Sequence, residues 1–441
     1  MITHLHGKNP TNQRFRSYCA TNTTFQRRVW QKQSNGSCGR LIPWGRARLI
    51  CGADQMKNLW ARTELCNIAI SALFVEFGTG MLMVLIPLYI RVLPAVTVTS
   101  LAIKSALVFS VFGLFAAASY PVMGRLSDRL DSRKPFVLAG FAGFAVLAVA
   151  CAEVDTFEQL LIVRALQGIM VGVMVPAILA MLTNISTQDS RGQSIGIYST
   201  IRSIGPAAGP AAGGIVAGAL GYGAGFYACA ALGLISLFLV NRIVKETHES
   251  RTQETRDGGT DRTSNGELKL FVYATFTTML AIMIVATLLP VYEVQMNASV
   301  GGLGVSLSAY FSARLLFQTP IGILSDRIGK RRMVAAGLFI TAVMLLGMAH
   351  VTSVIQLFAL MFVAGITSAA VNVPALASGA DLASPGMIGQ QMSLFPMASA
   401  IGMVIGPLLG GLFATQFGFA SPFYICAGLM VAVGVLIIRQ R

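Results

Sequence analysis

The chain has 441 residues, of which 54% are hydrophobic and only 12% charged, and its mean hydropathy is +0.68. Soluble domains carry about a quarter charged residues, so the composition argues against a water-soluble fold. The formal net charge is +15, but nine Lys/Arg and the single acid Asp54 within residues 1–55 supply +8 of it, and the remainder calls for no nucleic-acid partner.

Residues 1–61 read as a basic, disordered N-terminal tail, rich in Arg, Asn, Ser and Thr. With no apolar core segment, the tail does not fit a secretory signal peptide. Two readings stand: a basic arm, or translated sequence upstream of a natural start at Met56, from which MKNLWAR leads into the first span.

Apolar runs close to the ~20 residues that cross a hydrocarbon core then recur along the chain. Breaks at charges, Gly and Pro place six spans near 66–90, 101–123, 135–153, 158–183, 195–220 and 222–241. Six more fall near 268–291, 300–323, 333–351, 353–378, 389–414 and 418–438. In lipid such runs must be helices with internally satisfied backbones. The organisation expected is therefore a tail, a six-helix bundle over 62–241, a cytosolic linker over 242–266 and a second bundle over 267–441. Seven scattered cysteines make no CxxC spacing and read as small apolar fillers.

Lys and Arg set the expected orientation, because short cytoplasmic loops carry their excess. Arg125, Arg129, Arg133 and Lys134 follow the second span, and Arg327, Lys330, Arg331 and Arg332 follow the eighth. Loops on the other side hold Glu153, Asp155 and Glu158. Both termini are expected in the cytoplasm.

The two sets of spans resemble each other at a nearly fixed offset. GRLSDRLDSRKP from Gly124 matches GILSDRIGKRRM from Gly322 at offset 198, and VPA at Val175 matches VPA at Val373 at the same offset. GPAAGG from Gly209 matches GPLLGG from Gly406 at offset 197. Because six is even, both halves enter the membrane from one side and form a parallel repeat, which places a substrate cavity between them.

Three motifs carry a resemblance to the major facilitator superfamily over residues 62–438. The first is the loop signature GxxxDRxGRR. Its second copy is complete in Gly322, Asp326, Arg327, Gly329, Lys330 and Arg331, whereas the first keeps Gly124, Asp128, Arg129 and Arg133 but has Asp131 and Ser132 in place of glycine and a base. Such charges are able to latch helix ends in one state and release them in another, or simply to set topology. The second motif is LLIVRALQG, which carries Arg164; in the superfamily the equivalent Arg is linked to proton movement, although an Arg this close to a span end also has the option of snorkelling. The third is GxxxGPxxGG, present as Gly205, Gly209, Pro210, Gly213 and Gly214 and repeated as Gly402, Gly406, Pro407, Gly410 and Gly411. Glycines four apart let backbones touch and proline permits a bend, and within the family the fifth-span copy is typical of drug:proton antiporters.

Glu76, in LFVEFGTGML, places a carboxylate about 15 Å into the first span. Such a group is a functional candidate by default, because desolvation favours its protonated form until a cation or base approaches. Its surroundings resemble the first span of bacterial multidrug antiporters; the competing reading is a structural ion pair. Arg202 and Arg314 also fall inside spans, as substrate ligands or as charge partners of Glu76. Arg164 at offset 198 meets Phe362, and Glu76 at offset 203 meets Met279, so these charges belong to the first half alone.

The resulting expectation is an all-α membrane protein of twelve transmembrane helices, a monomeric multi-pass protein of the bacterial inner membrane. It would export a small amphipathic or cationic compound in exchange for protons by alternating access, with Arg164 biasing Glu76, and with no cofactor and no metal. The alternatives are a proton-coupled transporter of a metabolite, sugar or lipid and, from another class, a membrane-embedded enzyme or transporter-like receptor. There is no phosphate-binding loop, HExxH or GxSxG to favour an enzyme.

Overall fold

The computed structural model describes residues 44–94, 100–129, 133–185, 191–243, 265–382, 391–392 and 394–439, with side chains for most of them from Thr63 onward. The tail up to residue 43 and the linker over 244–264 lie outside the described residues. Chain contacts divide the protein into Met1–Leu59, of which only the beginning of a helix is described, and Trp60–Arg441.

Helices account for nearly all described residues: α1 (Trp44–Tyr89), α2 (Leu101–Arg129), α3 (Lys134–Ala152), α4 (Phe157–Ile185), α5 (Arg191–Leu220) and α6 (Tyr222–Ile243), then α7 (Asn265–Met296), α8 (Val300–Ile328), α9 (Lys330–Met348), α10 (Val354–Leu382), α11 (Leu394–Phe417) and α12 (Ser421–Arg439). All 12 contain segments long and apolar enough to cross a membrane, beginning with Thr63–Tyr89 in α1. They fall where the apolar runs place them, except that α1 begins well before its run, α11 begins five residues inside its run, and α2, α7, α8 and α10 run one to two turns further. Their last residues are polar or charged, and a helix continues past the hydrocarbon edge where water solvates its side chains.

Prolines inside helices recur at matching places in the halves, Pro87 with Pro290, Pro176 with Pro374, and Pro210 with Pro407. Between α8 and α9 the chain turns at Gly329, whose φ of 103° and ψ of 128° suit only a residue without Cβ. The glycine of the loop signature is thus a backbone requirement.

Each half has its own core. Phe141, Phe144, Phe157 and Phe226 pack inside the first, and Phe271, Tyr292, Met361 and Phe423 inside the second, where the Tyr292 hydroxyl donates to the Met348 carbonyl at 2.6 Å. Lipid tails are as apolar as these side chains, so association rests on close packing and on polar contacts between helices.

The two GxxxGPxxGG copies make those close contacts in a repeated way. A Cβ added at Gly205 would lie 2.6 Å from the Phe77 amide nitrogen, at Gly209 2.5 Å from the Phe77 carbonyl oxygen, and at Gly213 2.9 Å from Met81 Cα, so α5 rides directly on α1. Gly402 and Gly406 press in the same way on Met279 and Met283, at 3.0 and 2.8 Å, so α11 rides on α7. The last glycine of each motif faces the other half: Gly214 meets Val300 at 2.7 Å and Gly411 meets Ala102 at 2.7 Å.

Hydroxyls complete these cross-half contacts. Pro210 has no N–H to give, and beside it the Ala211 N–H donates to Ser308 Oγ at 2.8 Å while the Ser312 hydroxyl donates to the Ala207 carbonyl at 3.2 Å. On the α2–α11 side the Ser110 hydroxyl donates to the Val404 carbonyl at 2.9 Å, and the Ser100 and Thr415 hydroxyls share a 2.9 Å hydrogen bond. These contacts gather toward the end of the bundle where α2 and α8 begin, opposite the end that holds Thr63 and Arg439. At the latter end a cavity of about 560 Å³ separates α2 from α11, with Leu114, Tyr120, Met397 and Ile401 in its walls.

Candidate functional site: an ion pair beneath a two-helix crossing

Glu76 and Arg202 meet in the first half. Arg202 Nη1 lies 3.3 Å from Glu76 Oε1, and the two side chains are 40% and 18% exposed. The pair forms because Gly205 and Gly209 let α5 approach the α1 backbone at Glu76 and Phe77, with Arg202 three positions before the first glycine and so on the same face. Tyr198, buried one turn earlier, offers its hydroxyl to the same guanidinium. Tyr120 of α2 lies within electrostatic range of both charges and also lines the cavity between α2 and α11. Of the two sequence options for Arg202, substrate ligand and charge partner of Glu76, the geometry has the pairing.

Arg164 is placed elsewhere. It is buried at 5% exposure and stacked on the Phe112 ring at 4.3 Å, with Nη1 donating to Gln167 Oε1 at 2.8 Å and Nε to the Val108 carbonyl at 3.5 Å. Gln167 in turn donates to Cys151 Sγ at 3.5 Å. The guanidinium therefore clamps α4 to α2 and α3, and the base paired with Glu76 is Arg202.

Arg314 lies half-buried in α8 beside Tyr310, whose hydroxyl it engages. Tyr310 passes its own proton to Ser368 Oγ at 2.8 Å, and Asn372 Nδ2 donates to the Ser368 carbonyl at 2.9 Å. Among the described residues Arg314 has no carboxylate partner, so the expected option of pairing with Glu76 is not the arrangement found.

The complete loop signature forms ion pairs within its own half. Lys330 binds Asp381 at 2.5 Å and Arg331 binds Glu267, tying the start of α9 to α10 and α7, while Asp326 and Arg327 are exposed. Gly322 meets only the Val373 side chain. In the first copy the side chains of Asp128 and Arg129, and Gly124 with them, lie outside the described side chains, and Arg133 is buried at 4% exposure.

Sequence reasoning missed the acidic partners Asp381 and Glu267, and it also missed a charge pair that joins the two halves. Arg91 at the end of α1 binds Glu293 at the end of α7 at 3.1 Å, across the two halves, with side chains 50% and 11% exposed. The signal was available: Pro87 and Pro290 align the two spans, and Arg91 and Glu293 follow them by four and three residues. Tyr198 and Tyr120 gave no such signal, since a tyrosine in an apolar helix is ordinary.

The family model described as Major Facilitator Superfamily matches residues 68–299 and 271–441. Multidrug resistance protein MdtG of Proteus mirabilis (strain HI4320) is 30% identical over 361 residues, covering 80% of this chain and 89% of the relative. The protein of the same name from Escherichia coli O17:K52:H18 is 27% identical over 361 residues, covering 80% and 88%. Among solved structures, the peptide transporter POT in complex with sulfate superposes with a TM-score of 0.69 at 15% identity, covering 87% of this chain and 97% of that one. A bacterial homologue of the human lysosomal transporter Spinster gives 0.66 at 17%, covering 85% and 94%. With twelve spanning helices in two like halves and a family match along nearly all of them, the chain belongs to the Major Facilitator Superfamily and is a multi-pass membrane transporter.

Proposed function

We propose that the protein exports small amphipathic or cationic compounds in exchange for protons. The observation that carries this reading is the Glu76–Arg202 pair, an acid and a base inside the first half, 3.3 Å apart, with Tyr120 of the cavity wall within electrostatic range of both. An intramembrane carboxylate has three available partners: its arginine, a proton or a cationic substrate. Occupation by one excludes the others, which is the exchange an antiporter requires. The names of the multidrug relatives and the complete fifth-span motif support the same reading.

In this mechanism the halves rock about the α5–α8 and α2–α11 contacts. With both termini in the cytoplasm of a bacterial inner membrane, as the basic loops favour, the end with the cavity faces inward and the packed end outward. Compound enters from the inside and meets Glu76, and a proton arriving from outside displaces it after the halves rock. The protein acts as a monomer, since both halves of the cavity come from one chain.

The test is uptake of ethidium into inverted vesicles under an imposed pH gradient, comparing native protein with Glu76→Gln. Accumulation by the native protein alone, abolished when the gradient is collapsed, supports proton-coupled export through Glu76. Accumulation by both, or by neither while both are folded and inserted, overturns it.

A further inference from the structure

We infer that Arg314 is an anion-binding subsite of the second half, and that the compounds handled best carry a carboxylate or comparable acid beside their apolar body. The inference rests on the export reading for the act of transport but not for the act of binding.

The face that Arg314 occupies is the starting point. Val305, Leu316 and Ile323 of the same helix are exposed at 38%, 66% and 57% and make its lipid-facing side. Arg314 lies about half a turn round from each of them at 3.6 residues per turn, so its partial exposure opens inward rather than to lipid. Phe311 and Gln318, its neighbours one turn away on that face, are also half-buried. Gly304, Ser308 and Ser312 point to α5, and Tyr310, one turn before Arg314 and within about 40° of it round the helix, points to α10, so Arg314 lies on the side of α8 turned from lipid, next to α10.

The guanidinium is held in place without being neutralised. Arg314 lies beside the Tyr310 hydroxyl, Tyr310 donates to Ser368 at 2.8 Å, and Ser368 Oγ accepts a further bond from Asn372 at 3.3 Å. This relay fixes position but offers only neutral acceptors. The contrast with the other two intramembrane arginines is direct: Arg202 has Glu76, and Arg164 is fully buried against a carbonyl, an amide and an aromatic face.

Alternating access makes this arrangement consequential. While the interior is open, water solvates Arg314. When the halves close around a compound that water leaves, and a bare cation in a low-dielectric space is costly unless an anion comes with it. A planar fork of donors suits a carboxylate or phosphonate oxygen pair better than any other ligand chemistry. A compound with an ammonium for Glu76 and an acid for Arg314 would satisfy both halves.

A matched pair of dyes with one xanthene core tests this: rhodamine 110, whose carboxyl is free, and rhodamine 123, its methyl ester. Binding to purified protein is read by fluorescence polarisation. The expected result is tighter binding of the acid by native protein, a loss of about tenfold for the acid in Arg314→Gln, and a change under about twofold for the ester. Arg314→Lys keeps the charge without the fork and is expected to lose severalfold for the acid alone, which keeps the test available if the glutamine variant does not fold. Equal binding of both dyes by native protein, binding of neither, or equal weakening of both in the folded variants overturns the subsite. Gradient-driven uptake of the ester separates the two readings. Uptake dependent on Glu76 without an acid preference removes only the subsite, and an acid preference without gradient dependence removes only proton-coupled export.

Discussion

Arg202 of α5 holds Glu76 of α1 at 3.3 Å directly beside the place where Gly205 brings the two backbones together. Charge pairing and helix packing are therefore one feature: movement of α5 along α1 shifts the base relative to the acid, and protonation of the acid frees the base.

The first prediction concerns the strength of that link. The pair is part-exposed, so its coupling should fall between the ~0.5 kcal/mol of a surface pair and the ~3–5 kcal/mol lost when a fully buried pair is broken. A double-mutant cycle of Glu76→Gln and Arg202→Gln, read by thermal unfolding in detergent, is expected to give about 1 kcal/mol. A coupling of zero would mean the two charges are independent. The same cycle with Glu76→Gln and Arg164→Gln is expected to be additive, because Arg164 bonds to Gln167 and Val108 instead.

A second prediction separates two kinds of glycine in one motif. Gly205→Ala would place a methyl 2.6 Å from the Phe77 nitrogen and 2.8 Å from Glu76 Cβ, inside one half that stays packed in every state. Overpacking of this kind costs about 1–3 kcal/mol, so lower melting temperature and lost transport are expected together. Gly214→Ala instead meets Val300 at 2.7 Å, across the halves. Its strain exists only while that end is closed, so the expected effect is a shift toward the state open at that end, read as faster labelling of a cysteine placed at Gly301, with little change in melting temperature. Gly428→Ala, with nothing within 4 Å, is the neutral control.

Much of this architecture was legible because membrane helices announce themselves by length and hydropathy, and because the repeated GxxxGPxxGG predicted close backbone contact where Gly205, Gly209, Gly402 and Gly406 make it. Glu76 and Arg202 were legible as costly intramembrane charges and their pairing as one option, but the choice of Arg202 over Arg314 was not: it depends on the rotation of α5 and α8 about their axes, which side-chain spacing within one helix does not fix. Arg164 misled for the same reason. Gln167 and the Val108 carbonyl take its donors, Phe112 covers its face and Cys151 holds Gln167, and only packing brings these groups together from three helices. The Arg91–Glu293 pair was signalled by the alignment of Pro87 with Pro290 but overlooked, because charges at span ends normally face water.

The last prediction addresses the packed end of the bundle, where three contacts close the space between the halves: Arg91–Glu293 at 3.1 Å, Ser100–Thr415 at 2.9 Å, and Gly214 against Gly301. If this end must open for transport, a covalent tie there stops the cycle. Ser100→Cys with Thr415→Cys puts two thiols at positions whose hydroxyls already touch, in a background where the exposed Cys66 is replaced. Oxidation is expected to abolish transport and a reductant to restore it, whereas either single cysteine variant keeps native activity. The ion pair should then behave as a seal of modest strength, since Arg91 is half-exposed and the attraction is screened. Glu293→Gln is expected to raise accessibility at this end by severalfold without lowering melting temperature much, and the increase should shrink at high salt, where the native pair is itself weakened. Full transport with the crosslink intact would show that this end does not open, and the rocking assigned to the two halves would have to be abandoned.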